Sequence, residues 1–226
     1  MMEFDTTSFI LTFKLASITT LLLLIIGIPL SYLIAYSNFR FKPVVEALIA
    51  LPLVLPPTVL GFYLLLLFSK KGFLGNIWEK IAGHQLAFHF EGLVFASVIF
   101  SFPFMVHPLI SGFKSVNRSF IEAAYTLGKS RIRTLFSVIL PNMKPAIITG
   151  TVLSFAHTVG EFGVVLMIGG SIEGETKVVS IAIYEAVEKL DYTTAHIYAA
   201  VLLGFSFLTL LTVYILNKRF EVNGRL

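Results

Sequence analysis

Apolar residues along this chain gather into five long runs, 15–36, 44–68, 92–113, 145–169 and 196–217, separated by shorter polar stretches. A helix needs about 20 mostly apolar residues to cross a hydrocarbon layer about 30 Å thick, and each run meets that length. The pattern predicts an all-α integral membrane protein of five transmembrane helices. It forms one membrane domain over residues 1–226, with no stretch left for a separate soluble domain. The first run lacks a strongly basic leader and is too long for a signal core, so it reads as a span. Composition agrees: 13% of residues are charged, where a soluble domain carries about a quarter.

Proline interrupts the pattern. Pro29 lies in the first run, Pro52, Pro56 and Pro57 in the second, Pro103 and Pro108 in the third. Proline removes a backbone donor and clashes with the preceding turn. The sequence Leu51-Pro52-Leu53-Val54-Leu55-Pro56-Pro57 is the strongest predicted break. Within a bilayer, freed carbonyls survive only inside protein or beside a watery cavity, so this run either lines a path or carries a passive kink. Two stretches outside the runs read as short amphipathic helices. In 177–190, Val179, Ile183, Val187 and Leu190 share one face beside Tyr184; in 76–82, Trp78 suits the headgroup layer. They lie on the membrane surface or serve as a gate or docking surface.

Charge sets orientation. The segments after the first and third runs and the tail carry Arg40, Lys42, Lys114, Arg118, Lys129, Arg131, Arg133, Lys144, Lys218, Arg219 and Arg225, eleven of the 17 basic residues. The other six, Lys14, Lys70, Lys71, Lys80, Lys177 and Lys189, share their side with most acids, among them Glu3, Glu173, Glu175, Glu185, Glu188 and Asp191. The positive-inside rule predicts the N-terminus outside and the C-terminus in the cytoplasm. The net charge of +4 therefore reflects loops that flank spans, not a nucleic-acid partner. The absence of cysteine excludes disulfides, thiol catalysis and sulfur-based metal sites.

The 114–144 segment, the longest internal loop, carries the most information. Ser119 followed by Glu122 is a capping-box pattern that predicts a helix start at Ser119, with Phe120, Ile121, Ala124 and Leu127 on one apolar face. Gly128 can end that helix in a left-handed conformation. Ser130 can cap a second helix, with Ile132, Leu135, Phe136 and Ile139 on its apolar face, which Pro141 ends. A helical hairpin hung between two spans, with small Ala123 and Ala124 beside an apolar face, has the shape of a knob for a partner's groove.

The hairpin resembles the Glu-Ala-Ala loop of bacterial ABC-importer permeases: Glu-Ala-Ala, three residues, Gly, nine residues, Ile, one residue, Leu-Pro. The matches are Glu122, Ala123, Ala124, Gly128, Leu140 and Pro141, with Val138 at the isoleucine position. The resemblance implies a type I ABC importer permease core whose cytoplasmic coupling helix seats in an ATPase subunit. Leu51–Pro57 as written above, Gly72-Phe73-Leu74-Gly75, Ser101-Phe102-Pro103, Thr126-Leu127-Gly128 and Gly160-Glu161-Phe162-Gly163 extend it over nearly the whole chain. They resemble the molybdate branch, parts of the set being shared with tungstate and sulfate permeases. What this implies is a multi-pass subunit of a bacterial or archaeal inner membrane, working as a homodimer with two cytoplasmic ATPase subunits and an external oxyanion-binding protein. Tungstate and sulfate remain the alternative substrates.

Glu161 is the one acid deep in a run, about 24 Å along the fourth from Pro145 at 1.5 Å per residue. A carboxylate there implies a paired or functional role. An ionised Glu161 is no attractive ligand for an oxyanion, so it is a gate or architectural residue together with Gly160 and Gly163. Pro52, Pro56 and Pro57 complete the candidate path. His107 and His157 read as hydrogen-bonding packing residues; no His-Glu-x-x-His pattern exists, and no metal, cofactor or catalytic residue is expected. Without a Gly-x-x-x-x-Gly-Lys-Ser/Thr loop the chain cannot cradle ATP phosphates, so the energy is expected from another polypeptide. A channel or proton-coupled carrier using Glu161 is the reading from a different class.

Overall fold

The computed structural model describes residues 5–223, with side chains up to residue 215. Glu3 and Arg225, and the side chains of Lys218 and Arg219, which entered the charge balance, lie outside it. Helix α1 (Thr6–Tyr36) begins at Asp5, whose carboxylate accepts from the Ser8 N–H at 3.1 Å. It therefore starts nine residues before the apolar run. Its buried stripe includes Ser8, Thr12, Ala16, Thr20, Gly27 and Ser31, mostly small residues one turn apart. Inside a bilayer no hydrophobic drive pulls helices together, so close approach through small residues supplies the packing.

That stripe seats α1 against α5 (Phe90–Ser115) and α9 (Lys144–Val159). A methyl group on Gly112 would stand 2.5 Å from the Ala146 Cβ, which measures how closely α5 and α9 approach. Leu23, Met105, Leu109, Phe113, Ile139 and Met143 fill one end of this trio. Leu15, Phe68, Leu93, Val164 and Ile168 fill the other. Pro29, Pro103 and Pro108 sit inside unbroken helices.

The second run breaks where three prolines predict it. Helix α2 (Lys42–Val54) ends at Leu55, held extended by the proline that follows, and Pro57 opens α3 (Pro57–Phe68). The two axes differ by 112°. The fourth run breaks as well. Helix α9 stops at Val159, and α10 (Gly163–Gly169) begins after Gly160, Glu161 and Phe162. Residues 145–169 are thus two helices with a polar joint. Helices α1, α5 and the 192–215 part of α12 (Tyr192–Asn223) are each long and apolar enough to cross a membrane alone. Two bent pairs, α2 with α3 and the 131–142 arm with α9, reach that length together.

Outside the trio, α4 (Phe73–Ala82) follows α3, with Trp78 half-buried edge-on to Phe95 at 5.5 Å. Helix α11 (Val179–Glu188) packs on α12 and α1. Its buried residues are Val179, Ile181, Ala182 and Ala186, while Val187 and Leu190 are exposed. The buried face keeps Val179 and the partly buried Ile183 of the expected one but is rotated toward the alanines. The first free N–H of α11, from Val179, donates to the Thr12 hydroxyl at 2.9 Å, tying the helix to α1.

An ion cluster holds the approach to α11. Lys177 lies 3.1 Å from Glu185 and 3.4 Å from Glu173, and the Ser171 hydroxyl donates to Glu185. Partial burial works against the Glu185 charge, but Ser171 and the two lysines outweigh it and hold the carboxyl below its ordinary value. Burial likewise disfavours the Lys177 ammonium, and its two carboxylates reverse that. A depressed carboxylate contributes stability above its unfolded value and loses it as pH falls through the folded one. Protection of 171–188 in hydrogen exchange, corrected for intrinsic rates, should therefore hold from about pH 8 to pH 5 and drop only below about pH 4. Lys177→Gln should move that drop upward; an unchanged profile would show that the cluster does not anchor the segment.

Candidate functional site

Two places gather the candidate residues. The first is the hairpin between α5 and α9. Its first arm, α6 (Arg118–Thr126), starts one residue before Ser119, because Asn117 is the cap and accepts from both the Ser119 N–H, at 3.0 Å, and its hydroxyl. The Ser119–Glu122 capping box does not form. Gly128 takes φ +75°, and the Lys129 N–H returns to the Ala124 carbonyl at 3.0 Å, closing the turn. Ser130 caps α7 (Arg131–Thr134), accepting from the Arg133 N–H.

Pro141 does not end this arm. A π-helical turn over Leu135–Ile139 carries α7 into α8 (Leu140–Asn142), with the Leu140 N–H bonding five residues back to Leu135. Proline at 141 has no N–H to give to the preceding turn, and the wider turn gives its ring room. The arm bends at Met143, by 76°, into α9.

The two apolar faces divide. Ile121, Leu135 and Leu140 pack on the core around Phe113, Val116 and Ile139. Ala124 is buried as well, whereas Ala123 and Glu122 are exposed. Phe120, Leu127, Ile132 and Phe136 stand out at 53, 80, 72 and 66% exposure, an apolar tip that the chain itself leaves uncovered. Lys129 Nζ donates to the Ser137 hydroxyl at 3.1 Å and links the arms.

The second place is where the two broken runs meet. Helices α3 and α10 pack closely: a methyl group on Gly163 would lie 2.9 Å from the Pro57 Cβ, and one on Gly61 as close to Met167. Beside them a cavity of about 530 Å³ is lined by Pro57, Thr58, Phe100, His157, Gly160, Glu161 and Gly163. Glu161 is 3% exposed; neither carboxylate oxygen has a partner at full hydrogen-bonding geometry among the described residues, and the Ser97 hydroxyl stands within weaker reach of it. Its carbonyl accepts from the Ser180 hydroxyl at 2.6 Å, which joins the break to α11. Pro52 faces a separate apolar crevice between α1, α2 and α5, and Pro56 lines neither space.

His157 is held tightly. Its Nδ1 lies 2.9 Å from the Ser101 hydroxyl, which also meets Thr158 at 2.9 Å, and Phe104 stacks over the ring at 4.0 Å. Ser101 stood in the sequence only as part of a shared motif, and Ser97, Ser154 and Thr158 drew no notice, yet the four place buried hydroxyls one turn apart on α5 and α9. That four-residue spacing of small polar groups inside apolar helices was the available signal. His107 stands exposed on α5, not packed as expected.

Fold and site together define a multi-pass membrane subunit with an uncovered helical knob and an open cavity at paired helix breaks. The sequence profile described as binding-protein-dependent transport system inner membrane component matches residues 27–222, and the chain belongs to that family. The ModB molybdenum transport permease of Azotobacter vinelandii is 45% identical over 97% of this chain and 96% of that protein. Its Escherichia coli (strain K12) counterpart is 36% identical, over 79% and 78%. A probable sulfate permease, cysT of Chlorokybus atmophyticus, is 33% identical over 88% and 69%. Among solved structures, a bacterial ABC transporter importing alginate superposes with a TM-score of 0.77 at 17% identity, over 97% of this chain and 80% of that one. The MetNI methionine ABC transporter gives 0.71 at 13%, over 96% and 95%. The fold is that of an ABC-importer membrane subunit.

Proposed function

We propose that this chain is the permease of an ATP-driven importer that carries molybdate, a tetrahedral oxyanion, across the inner membrane. Two copies work with two ATPase subunits and an external binding protein. The observation that carries the reading is the capped hairpin with Phe120, Leu127, Ile132 and Phe136 uncovered at its tip. The basic residues around it support a cytoplasmic position, with the N-terminus outside and five spans in all. Molybdate rests on the kinship with ModB proteins; the sulfate permease supports sulfate as the competitor to test.

In this reading ATP binding draws the ATPase pair together and moves the hairpins, and the path opens outward; hydrolysis resets it. Each ligand shifts the equilibrium only by its differential affinity for the two states. Pro57, Gly160, Glu161 and Gly163 form the gate region around the cavity, and Pro52 and Pro56 shape the approach through the α2–α3 break. Glu161 acts there as a gate or architectural residue, since an ionised carboxylate offers no attraction to an anion.

Vesicles containing this chain, its ATPase and the binding protein should accumulate labelled molybdate only with ATP. Glu122→Lys should insert normally yet lose most of that uptake, by about tenfold or more, as one exposed charge-assisted contact is reversed. Uptake driven by a proton gradient without ATP, and abolished in Glu161→Gln, would instead support the carrier reading that the unpartnered carboxylate motivates.

A further inference from the structure

We infer that the end of α1 and the hairpin together hold the phosphate group of an anionic phospholipid. A second cavity, of about 410 Å³, opens where they meet. Tyr32 and Tyr36 come from the last turns of α1, Arg118, Glu122 and Tyr125 from α6, and Arg131 from α7, over a floor of Ile121 and Ile139. It lies apart from the cavity at Glu161 and shares no residue with it.

Its charges are unspent. Arg118, Arg131 and Glu122 form no ion pair among the described residues. Arg118 is within electrostatic reach of the Tyr36 phenol. Guanidinium groups present a planar fork of donors that matches phosphate oxygens, and two of them around one space make a phosphate cradle. Glu122 lowers the formal charge of the lining to about +1. That balance suits a singly charged phosphodiester better than a doubly charged free oxyanion.

The walls argue for a lipid as the carrier of that phosphate. Tyr36 donates its hydroxyl to the Phe113 carbonyl at 2.9 Å, so it offers the cavity its ring rather than a donor. Tyr32 and Phe113 stand edge to face beside it at 5.7 Å. The site is thus aromatic on its α1 side and net cationic at the hairpin, at the end of a span, where headgroups and tyrosines meet. Basic pockets between helices at the membrane rim are a recurrent form of anionic-lipid recognition. The placement in the cytoplasmic leaflet rests on the orientation proposed above; the lipid contact itself does not. A lipid wedged there would set the angle between α1 and the hairpin.

The test is native mass spectrometry of the full chain, with whatever subunits co-purify, from bilayers of phosphatidylcholine and phosphatidylglycerol. One phosphatidylglycerol per chain should persist and no phosphatidylcholine. Arg118→Gln combined with Arg131→Gln should lower that occupancy by about thirtyfold, the factor for losing two basic contacts near a membrane surface. Should the double variant fail to purify, Arg131→Lys, which keeps the charge and loses the fork, should still lower it severalfold. Lipid retained equally by the variants overturns the proposal. So does displacement by millimolar inorganic phosphate or molybdate, which would make this a small-anion site. Because occupancy is read without transport or ATP, a failed importer reading leaves this result separately interpretable.

Discussion

Replacing Gly128 with proline should remove ATP-driven uptake while the chain still inserts and purifies. Gly128 holds φ +75°, whereas proline is fixed near −65°. The substitution also deletes the N–H that donates to the Tyr125 carbonyl at 2.9 Å. Together these cost about 3 kcal/mol in the turn, enough to lower the population of the docked hairpin by about a hundredfold. Gly128→Ala separates geometry from bulk, because nothing lies within 4 Å of the added methyl. Only the left-handed penalty of about 1–2 kcal/mol remains, and uptake should fall by about tenfold. Labelled-oxyanion uptake in vesicles, normalised to inserted protein, reads both. Wild-type uptake in the proline variant would mean that the shape of this turn does not matter.

Gly75→Ala should be the most destabilising glycine-to-alanine change among the described residues. Its Cβ would stand 2.0 Å from the Ser69 carbonyl oxygen and 2.3 Å from that of Phe68. A Cβ on Gly72 would likewise meet the carbonyl oxygens of Leu66 and Leu67 at 2.2 and 2.3 Å. The carbonyls at the end of α3 thus lie against the start of α4, and backbone, unlike a side chain, cannot swing away. Destabilisation of about 4 kcal/mol follows, near 10 °C in Tm for a chain of this size. Gly204→Ala is the control: nothing lies within 4 Å and its helix is regular, so stability should hold or rise by up to about 1 kcal/mol. A Gly75→Ala protein melting with wild type would contradict this packing.

That glycine pair shows what a sequence exposes and what it hides. Gly72-Phe73-Leu74-Gly75 was visible as a shared motif, yet only the carbonyls above it explain both glycines. The long apolar runs were legible because crossing a bilayer demands length, and the break before Pro57 because proline acts locally. The break at Gly160–Phe162 was visible as an odd polar tetrapeptide but read as part of one span. Which side of each helix faces inward was not legible. Large apolar residues mark the core in water, but toward lipid they face outward, and the small residues Thr12, Ala16, Ala182 and Ala186 turn in. In the hairpin, Gly128 and Ser130 were readable, whereas Asn117 is the cap in place of Ser119, accepting both the Ser119 N–H and its hydroxyl and so engaging the hydroxyl that would have capped. The partnering of His157 with Ser101 required two helices to meet, which no local pattern encodes.

The π turn at Leu135–Ile139 has a consequence for rotational phase. A turn closed five residues back contains one residue more than an α-helical turn, and each residue advances a helix by about 100°. Ile132 and Phe136 can therefore point away from the protein while Ile139 and Met143, on the same continuous arm, point into it. Deleting one residue there would make the arm a regular helix with both faces nearly where they are, whereas winding the same residues as a regular α-helix would swing one face by about a quarter of a circle.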